Sequence, residues 1–375
     1  SGGKFEDYGI YTQVEQLNKT ALKSHGLDSN GQLYKINSFE FYRYEDIIKK
    51  EDDAGYDKTA FEKMLEIKGD SDHTKLIDML TDLNDYSIGI EDVLKEHFDE
   101  ENIVYWMAFQ ILMGNVDTQN RNVYLYSPLN SDIWYFIAWD NDGCLMRPEY
   151  ELRNFSDQNS WEKRISNYWG NILFQRCLKS RSFREKLNDA ILDLREYLNK
   201  DMLTSKIESY KNVLKPYLYL MPDAEYEPLT SEQYDQIAAS LPDEIEKNYQ
   251  LYLESLETPM PFYIGVPTID GDKLKFNWDV SYDLDAEDIT YSVEVARDYL
   301  FRDVIYQNTT LIVPEAEMDL PEAGQYFVRV RATNTSGKTQ DAFDYYVTDE
   351  GKYYGMRCFY ITEDSTVEED DYEEG

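Results

Sequence analysis

Two short clusters of carboxylate and amide side chains bracket a hydrophobic stretch of this chain. Asp117 and Asn122 stand at one end of NVDTQNRNVYLYSPLNSDIWYFIAWDNDG, residues 115–143, and Asp140, Asn141 and Asp142 at the other. Asp, Asn and Gly are what tight turns prefer, so turn chemistry alone accounts for both clusters. The other reading is a metal and phosphate site. Carboxylate and amide oxygens are the hard donors that Mg²⁺ or Mn²⁺ takes, and a carboxylate can accept the proton of an attacking hydroxyl.

The spacing Asp117-x4-Asn122 is that of a protein-kinase catalytic loop, where the Asp receives the hydroxyl proton and the Asn oxygen holds a metal ion. Spacing alone is weak, because Asp303 and Asn308 repeat it. Context strengthens it. An apolar helix leads in, two strands follow, and an acidic cluster closes the run where a kinase carries its metal-binding Asp. Asp140 takes that role, or Asp142. The EF-hand pattern is not met, since Cys144 and Leu145 stand where it requires an Asp or Asn and a Gly, which leaves other divalent-ion sites open. Arg121 inside the loop either clamps a phosphate or pairs with a carboxylate. Lys35 is a second candidate for a nucleotide phosphate, or a surface lysine on a strand. His25, His73 and His97 lack partners at relay or ligand spacing and read as surface or capping residues. Cys144 reads as a buried structural thiol.

The bulk composition narrows the class. The 375 residues favour two domains, and 33 Tyr among 42% hydrophobic residues supply sizeable cores. A formal charge of −37 repels nucleic-acid phosphate and anionic membranes, so neither is expected as a partner. Three cysteines make neither a disulfide framework nor a zinc site. No apolar run is long enough for a membrane span, and no signal peptide is visible.

The elements that must position the clusters follow from periodicity. KFEDYGIYTQVEQL alternates and is expected to form a hairpin arm, followed by a turn at Asp28–Gly31 and another strand. Residues 57–98 read as helical, with Asp72 as an N-cap. Ile103–Met113 is apolar nearly all round, which predicts a buried helix ending at Gly114. Trp161–Leu220 and Ser231–Leu253 carry amphipathic helical patterns. At Pro259 and Pro261 the period changes to strands, with Trp278 on the second. Leu320 and Tyr326 have the spacing of a tyrosine corner, so this segment resembles a fibronectin type III module. The end, EDSTVEEDDYEEG, reads as an acidic disordered tail or linker.

YGIYTQVEQLNKTALKSHG, NVDTQNRNVYLY and WYFIAWDNDG resemble, in that order, three motifs of the CotH family, the spore-coat-protein-H-like atypical protein kinases. The resemblance covers roughly Lys4 to Tyr219. It implies a secreted, cell-surface or spore-coat kinase-like protein that phosphorylates serine in coat or surface proteins, using ATP and Mg²⁺ or Mn²⁺. Carried over, Asp117 matches the catalytic aspartate and Asp140 the metal-binding one, with Asn122 a second ligand by spacing and Asp142 a helper. Glu15 matches an acid of the first motif, without an assigned role. The family's earlier small-lobe strands and their phosphate-holding basic residue are not in this chain, so little phosphotransfer is expected of it.

The expected fold is therefore α+β. An atypical kinase-like domain with a truncated amino-terminal lobe and a helical large lobe spans 1–257. An all-β immunoglobulin or fibronectin-III-like sandwich spans 258–362, and the acidic tail 363–375. A non-catalytic adhesion or scaffold protein is the competing expectation.

Overall fold

The computed structural model describes residues 7–152, 161–162, 165–349 and 351–369. Their contacts divide the chain into two compact units. The first joins residues 1–154 to 170–249, and the second joins 155–169 to 250–375.

The first unit is helical around a small sheet. Helices α1 (Lys19–Ser24), α2 (Lys58–Met64), α3 (Thr74–Asn84), α4 (Ile90–His97) and α5 (Glu100–Met113) lead to the acidic loops. Helices α6 (Arg147–Leu152), α7 (Ile172–Lys179), α8 (Arg181–Tyr197), α9 (Lys200–Leu218), α10 (Ser231–Ser240) and α11 (Glu244–Leu256) follow them. The sheet strands are β1 (Gln32–Ile36), β2 (Leu65–Ile67), β3 (Val123–Ser127) and β4 (Tyr135–Ala138), antiparallel in the order β2-β1-β3-β4.

Helix α5 is the element that most constrains the loops. Asp99 caps it by accepting from the Asn102 amide, and Glu100 and Glu101 sit where the helix dipole favours anions. Gly114 ends it at φ 61°, a left-handed conformation that glycine adopts without a Cβ penalty. Between these ends Ile103, Trp106, Met107, Ala108 and Leu112 are buried. Trp106 stacks on Phe174 of α7 and packs on Phe136 of β4. Asn102 donates to the Phe136 carbonyl and accepts from its amide, which fixes the edge strand β4 to the helix. The opposite sheet face, with Leu33, Tyr124 and Tyr126, is covered by Leu22 of α1.

Three expectations change here. Residues 7–17 form no strand; the Ile10 amide instead bonds the Asp223 carboxylate, so the alternation there has no partner strand to satisfy. The helical run 57–98 is interrupted by β2, because Leu65–Ile67 completes the edge beside β1. Helix α3 starts one residue later than expected, with Asp72 accepting from the Thr74 amide.

Apart from the last turns of α11 and a 3₁₀ turn at Ile165–Tyr168, the described elements of the second unit are strands. Its strands are β5 (Thr268–Asp270), β6 (Lys273–Asn277), β7 (Ile289–Ala296), β8 (Val304–Leu311), β9 (Glu315–Asp319), β10 (Gly324–Asn334), β11 (Thr339–Asp341), β12 (Tyr345–Thr348), β13 (Gly351–Tyr354), β14 (Met356–Ile361) and β15 (Val367–Glu369). One sheet runs β5-β6-β9, another runs β15-β14-β10-β7-β8 with β11 added to β10, and β12 pairs with β13 in a separate two-stranded sheet. Leu274 and Phe276 of β6 meet Val293, Val295, Val328, Val330 and Phe359 in one apolar core. The Tyr326 hydroxyl donates to the Glu322 carbonyl at 2.7 Å, the bond a tyrosine corner makes. Part of the expected disordered tail is a strand: β15 pairs with β14, and Glu369 forms an ion pair with Arg357. Residues 370–375 of that tail lie outside the described residues.

Candidate active site

The first loop leaves α5 at Gly114 and is held at every turn. Asn115 is buried, and its Oδ1 accepts from the Asp117 amide at 3.2 Å. The Asn120 carbonyl receives the Phe39 amide at 2.8 Å, and Asn120 donates to Glu40 Oε1 at 2.9 Å. Asn171 donates to the Gln119 carbonyl at 2.8 Å. A loop fixed through its own backbone and amide side chains can present one side chain to solvent without losing its shape.

That side chain is Asp117. Its carboxylate is half-exposed, accepts from Asn122 Nδ2 at 2.8 Å, and lies 3.5 Å from Arg121 Nε. Burial raises its pKa above the ordinary aspartate value. Arg121 and the Asn122 bond oppose that shift, while the charges of Asp140 and Asp142 add to it.

The second loop lies against the first. Asp140 takes left-handed backbone angles, φ 54° and ψ 57°, before a short 3₁₀ turn over Asn141–Gly143. Gln110 of α5 donates to Asn141 Oδ1 at 3.1 Å, and the Leu145 amide donates to the Met113 carbonyl at 2.8 Å. A Cβ on Gly143 would come within 2.8 Å of Asn115 Oδ1 and 3.8 Å of the Asp117 Cβ. A side chain at 143 would have to displace the buried Asn115 amide. Asn122, Asp140 and Leu145 all have φ between 54° and 57°, an uncommon conformation for residues other than glycine. Strain of this kind persists where the surroundings over-determine it.

Asp117, Arg121, Asn122, Asp140 and Asp142 are thus brought together, five residues from the two ends of the β3–β4 hairpin. Lys35 is placed differently. In register with Tyr124, it stands on the sheet face of Leu33 and Tyr126, and its strand neighbour on the other side is Glu66.

The histidine reading needs correction. His73 is fully buried, bonded through Nδ1 to the Tyr34 hydroxyl at 2.7 Å and stacked on Phe61. His97 is also buried and bonds Asp82 at 2.7 Å, while His25 pairs with Glu15 at 2.7 Å on the surface. Long-range packing supplies partners that sequence spacing did not show. Cys144 is half-buried rather than buried, and burial pushes its thiol up to about 12, so it is not a nucleophile at neutral pH.

Among the described residues no group of three or more His, Cys, Asp or Glu side chains is gathered to hold a metal ion. A magnesium site that relies on one or two carboxylates and on nucleotide phosphates needs no such group. The donors here are hard oxygens, and the mutual repulsion of three aspartates is opposed by one arginine. The buried Gln110 Oε1 and Thr118 Oγ1 also lack partners among the described residues, which is unusual for core polar atoms. Carboxylate and amide oxygens of this kind are the donors that Mg²⁺ or Mn²⁺ takes. A groove of about 670 Å³ between α8, α9 and α11 is lined by none of them.

Several of the supporting residues were not singled out from the sequence: Gln110, Asn115, Glu40 and Asn171. Gln110 had a signal, as the one amide in the apolar run Ile103–Met113. Glu40 and Asn171 had none, because they are distant in sequence from the loop they hold.

An Asp/Asn loop, an antiparallel hairpin and a second acidic loop are thus set after a buried helix. The chain belongs to the CotH kinase protein family, whose model matches residues 2–252. No curated protein matches it.

Proposed function

We propose that this protein transfers phosphate from ATP to serine hydroxyls of a coat or surface protein, outside the cell, on the cell surface or in a spore coat. The observation that carries the reading is the contact of the two acidic loops through Gly143 and Asn115, in a chain of this family. Asp117 takes the proton of the acceptor hydroxyl, presented half-exposed and oriented by Asn122 and Arg121. Asp140 and Asn122 hold Mg²⁺ or Mn²⁺, with Asp142 beside them. When bound, the ion neutralises charge on the transferring phosphate. Arg121 and Lys35 are the cations proposed for the nucleotide phosphates, and Arg121 lies nearer the carboxylates.

The sheet order and the Tyr326 bond support an immunoglobulin or fibronectin-III-like module over 258–362, following a kinase-like domain over 1–257. The −37 charge argues for a protein acceptor rather than nucleic acid. No helix among the described residues is long and apolar enough to cross a membrane.

The test is Mn²⁺ and ATP binding by calorimetry on this chain, with phosphotransfer to serine-bearing surface proteins measured on the natural full-length protein. Binding lost in Asp140→Asn supports the reading; a wild type that neither binds nor transfers defeats it. One observation favours a second reading, a non-catalytic scaffold: the Arg121–Asp117 pair at 3.5 Å already gives the carboxylate a structural partner. Phosphotransfer by the full-length protein would exclude it.

A further inference from the structure

Two side chains on one face of α11 reach both flanks of the paired loops. Glu244 is 1% exposed; its Oε2 accepts from Arg147 Nε at 2.8 Å and from Arg147 Nη2, and its Oε1 accepts from Lys247 at 2.7 Å. Arg147 begins α6, four residues beyond Gly143. Asn248, one helical turn after Glu244, donates to the Leu112 carbonyl at 2.9 Å, five residues before Asp117. Its amide also fills the space beside Gly114, where a Cβ would come within 2.7 Å. Residues four apart on a helix project from the same face, so one rigid element grips the chain before Asp117 and after Asp142. Between the two grips, the Leu145 amide is tied to the Met113 carbonyl.

We propose that Glu244 and Asn248 are positioning residues that fix the separation of Asp117 from Asp140 and Asp142, and thereby the shape of the metal site. The proposal rests on the phosphotransfer reading above. Two features support it over a purely stabilising role. A buried ion pair loses much of its attraction to desolvation, and apolar residues of similar volume often replace one at no loss of stability. Two N–H donors of one planar guanidinium converging on Oε2, by contrast, fix both distance and direction. The second feature is Leu145, at φ 57° two residues before Arg147. A branched residue is held there only if the chain is fastened on both sides. Arg147 and Met113 are those fastenings.

The test compares Glu244→Gln, Asn248→Leu and the apolar pair Arg147→Met/Glu244→Leu. Mn²⁺ binding and the melting midpoint are measured on this chain, and kcat and KM on the natural full-length protein. Glu244→Gln and Asn248→Leu should weaken Mn²⁺ binding by about tenfold or more and lower kcat more than they raise the acceptor KM. The apolar pair should melt near the wild-type midpoint yet keep the weakened Mn²⁺ binding, a result that a merely structural pair would not produce. Folded variants that bind Mn²⁺ as tightly as wild type would overturn the brace alone. A wild type that binds no Mn²⁺ and transfers no phosphate would instead defeat the kinase reading, and the brace with it.

Discussion

The spacing Asp-x4-Asn occurs twice in this chain, and the two copies do different things. At Asp117 and Asn122 the side chains bond each other across a loop, and the carboxylate senses two further aspartates. At Asp303 and Asn308 the same interval runs into a strand. Asp303 pairs with Arg297 at 3.2 Å on the surface, and Asn308 lies in β8, where its side chain accepts from the Thr310 amide. One copy closes a loop beside a second acidic loop; the other decorates a sheet edge. Spacing supplies candidates, and the backbone between them decides whether the side chains meet.

Substitution at the two aspartates gives the sharpest contrast. Asp117→Asn should lower phosphotransfer by the full-length protein by about 10²–10⁴-fold, since it removes the proton acceptor. Asp303→Asn should leave the rate at the wild-type value. Equal losses in the two variants, read by radiolabel transfer from ATP, would erase the distinction between them.

Next in size is the support under each unit. Trp106→Ala opens a cavity between α5, α7 and β4 and should destabilise the first unit by about 3–5 kcal/mol. Calorimetric scanning should show this loss in the transition that carries the first unit. In the second unit Tyr326→Phe removes one hydroxyl bond and should cost only about 0.5–1.5 kcal/mol.

The two units should also answer pH with opposite signs. Burial lowers the His73 pKa below its ordinary 6.5, so the folded first unit binds fewer protons there than the unfolded chain. Its contribution is complete above about pH 6.5 and is lost as pH falls below that value. His73→Phe should flatten this limb of a denaturation profile. Burial raises the Asp344 carboxyl in the second unit, although Arg357 and the Ile264 amide oppose it. That contribution is complete below the ordinary aspartate value of 3.8 and fades as pH rises through the higher folded pKa. Unfolding midpoints that shift together for both units, with the same slope, would contradict this assignment.

Local pattern determined a good part of this protein. The apolar run Ile103–Met113 with Gly114 after it can only be a buried helix with a left-handed end, because burial and φ are set by those residues. Alternation placed β1, β3 and β4 and, of the eleven described strands beyond Pro261, β6, β7, β8, β10 and β12, and the Leu320–Tyr326 interval announced the Tyr326 bond. Tertiary structure decided the rest. The alternation of residues 7–17 is as regular as that of β1, but a strand needs a neighbour's backbone, and the Ile10 amide finds Asp223 instead. His73 looks solvent-exposed between Asp72 and Thr74, yet Tyr34, Phe61 and the helices around them enclose it. Glu40, Asn171 and the α11 pair Glu244 and Asn248 come from three distant segments. Their grip on the acidic loops depends on distances in space, which no interval along the chain records.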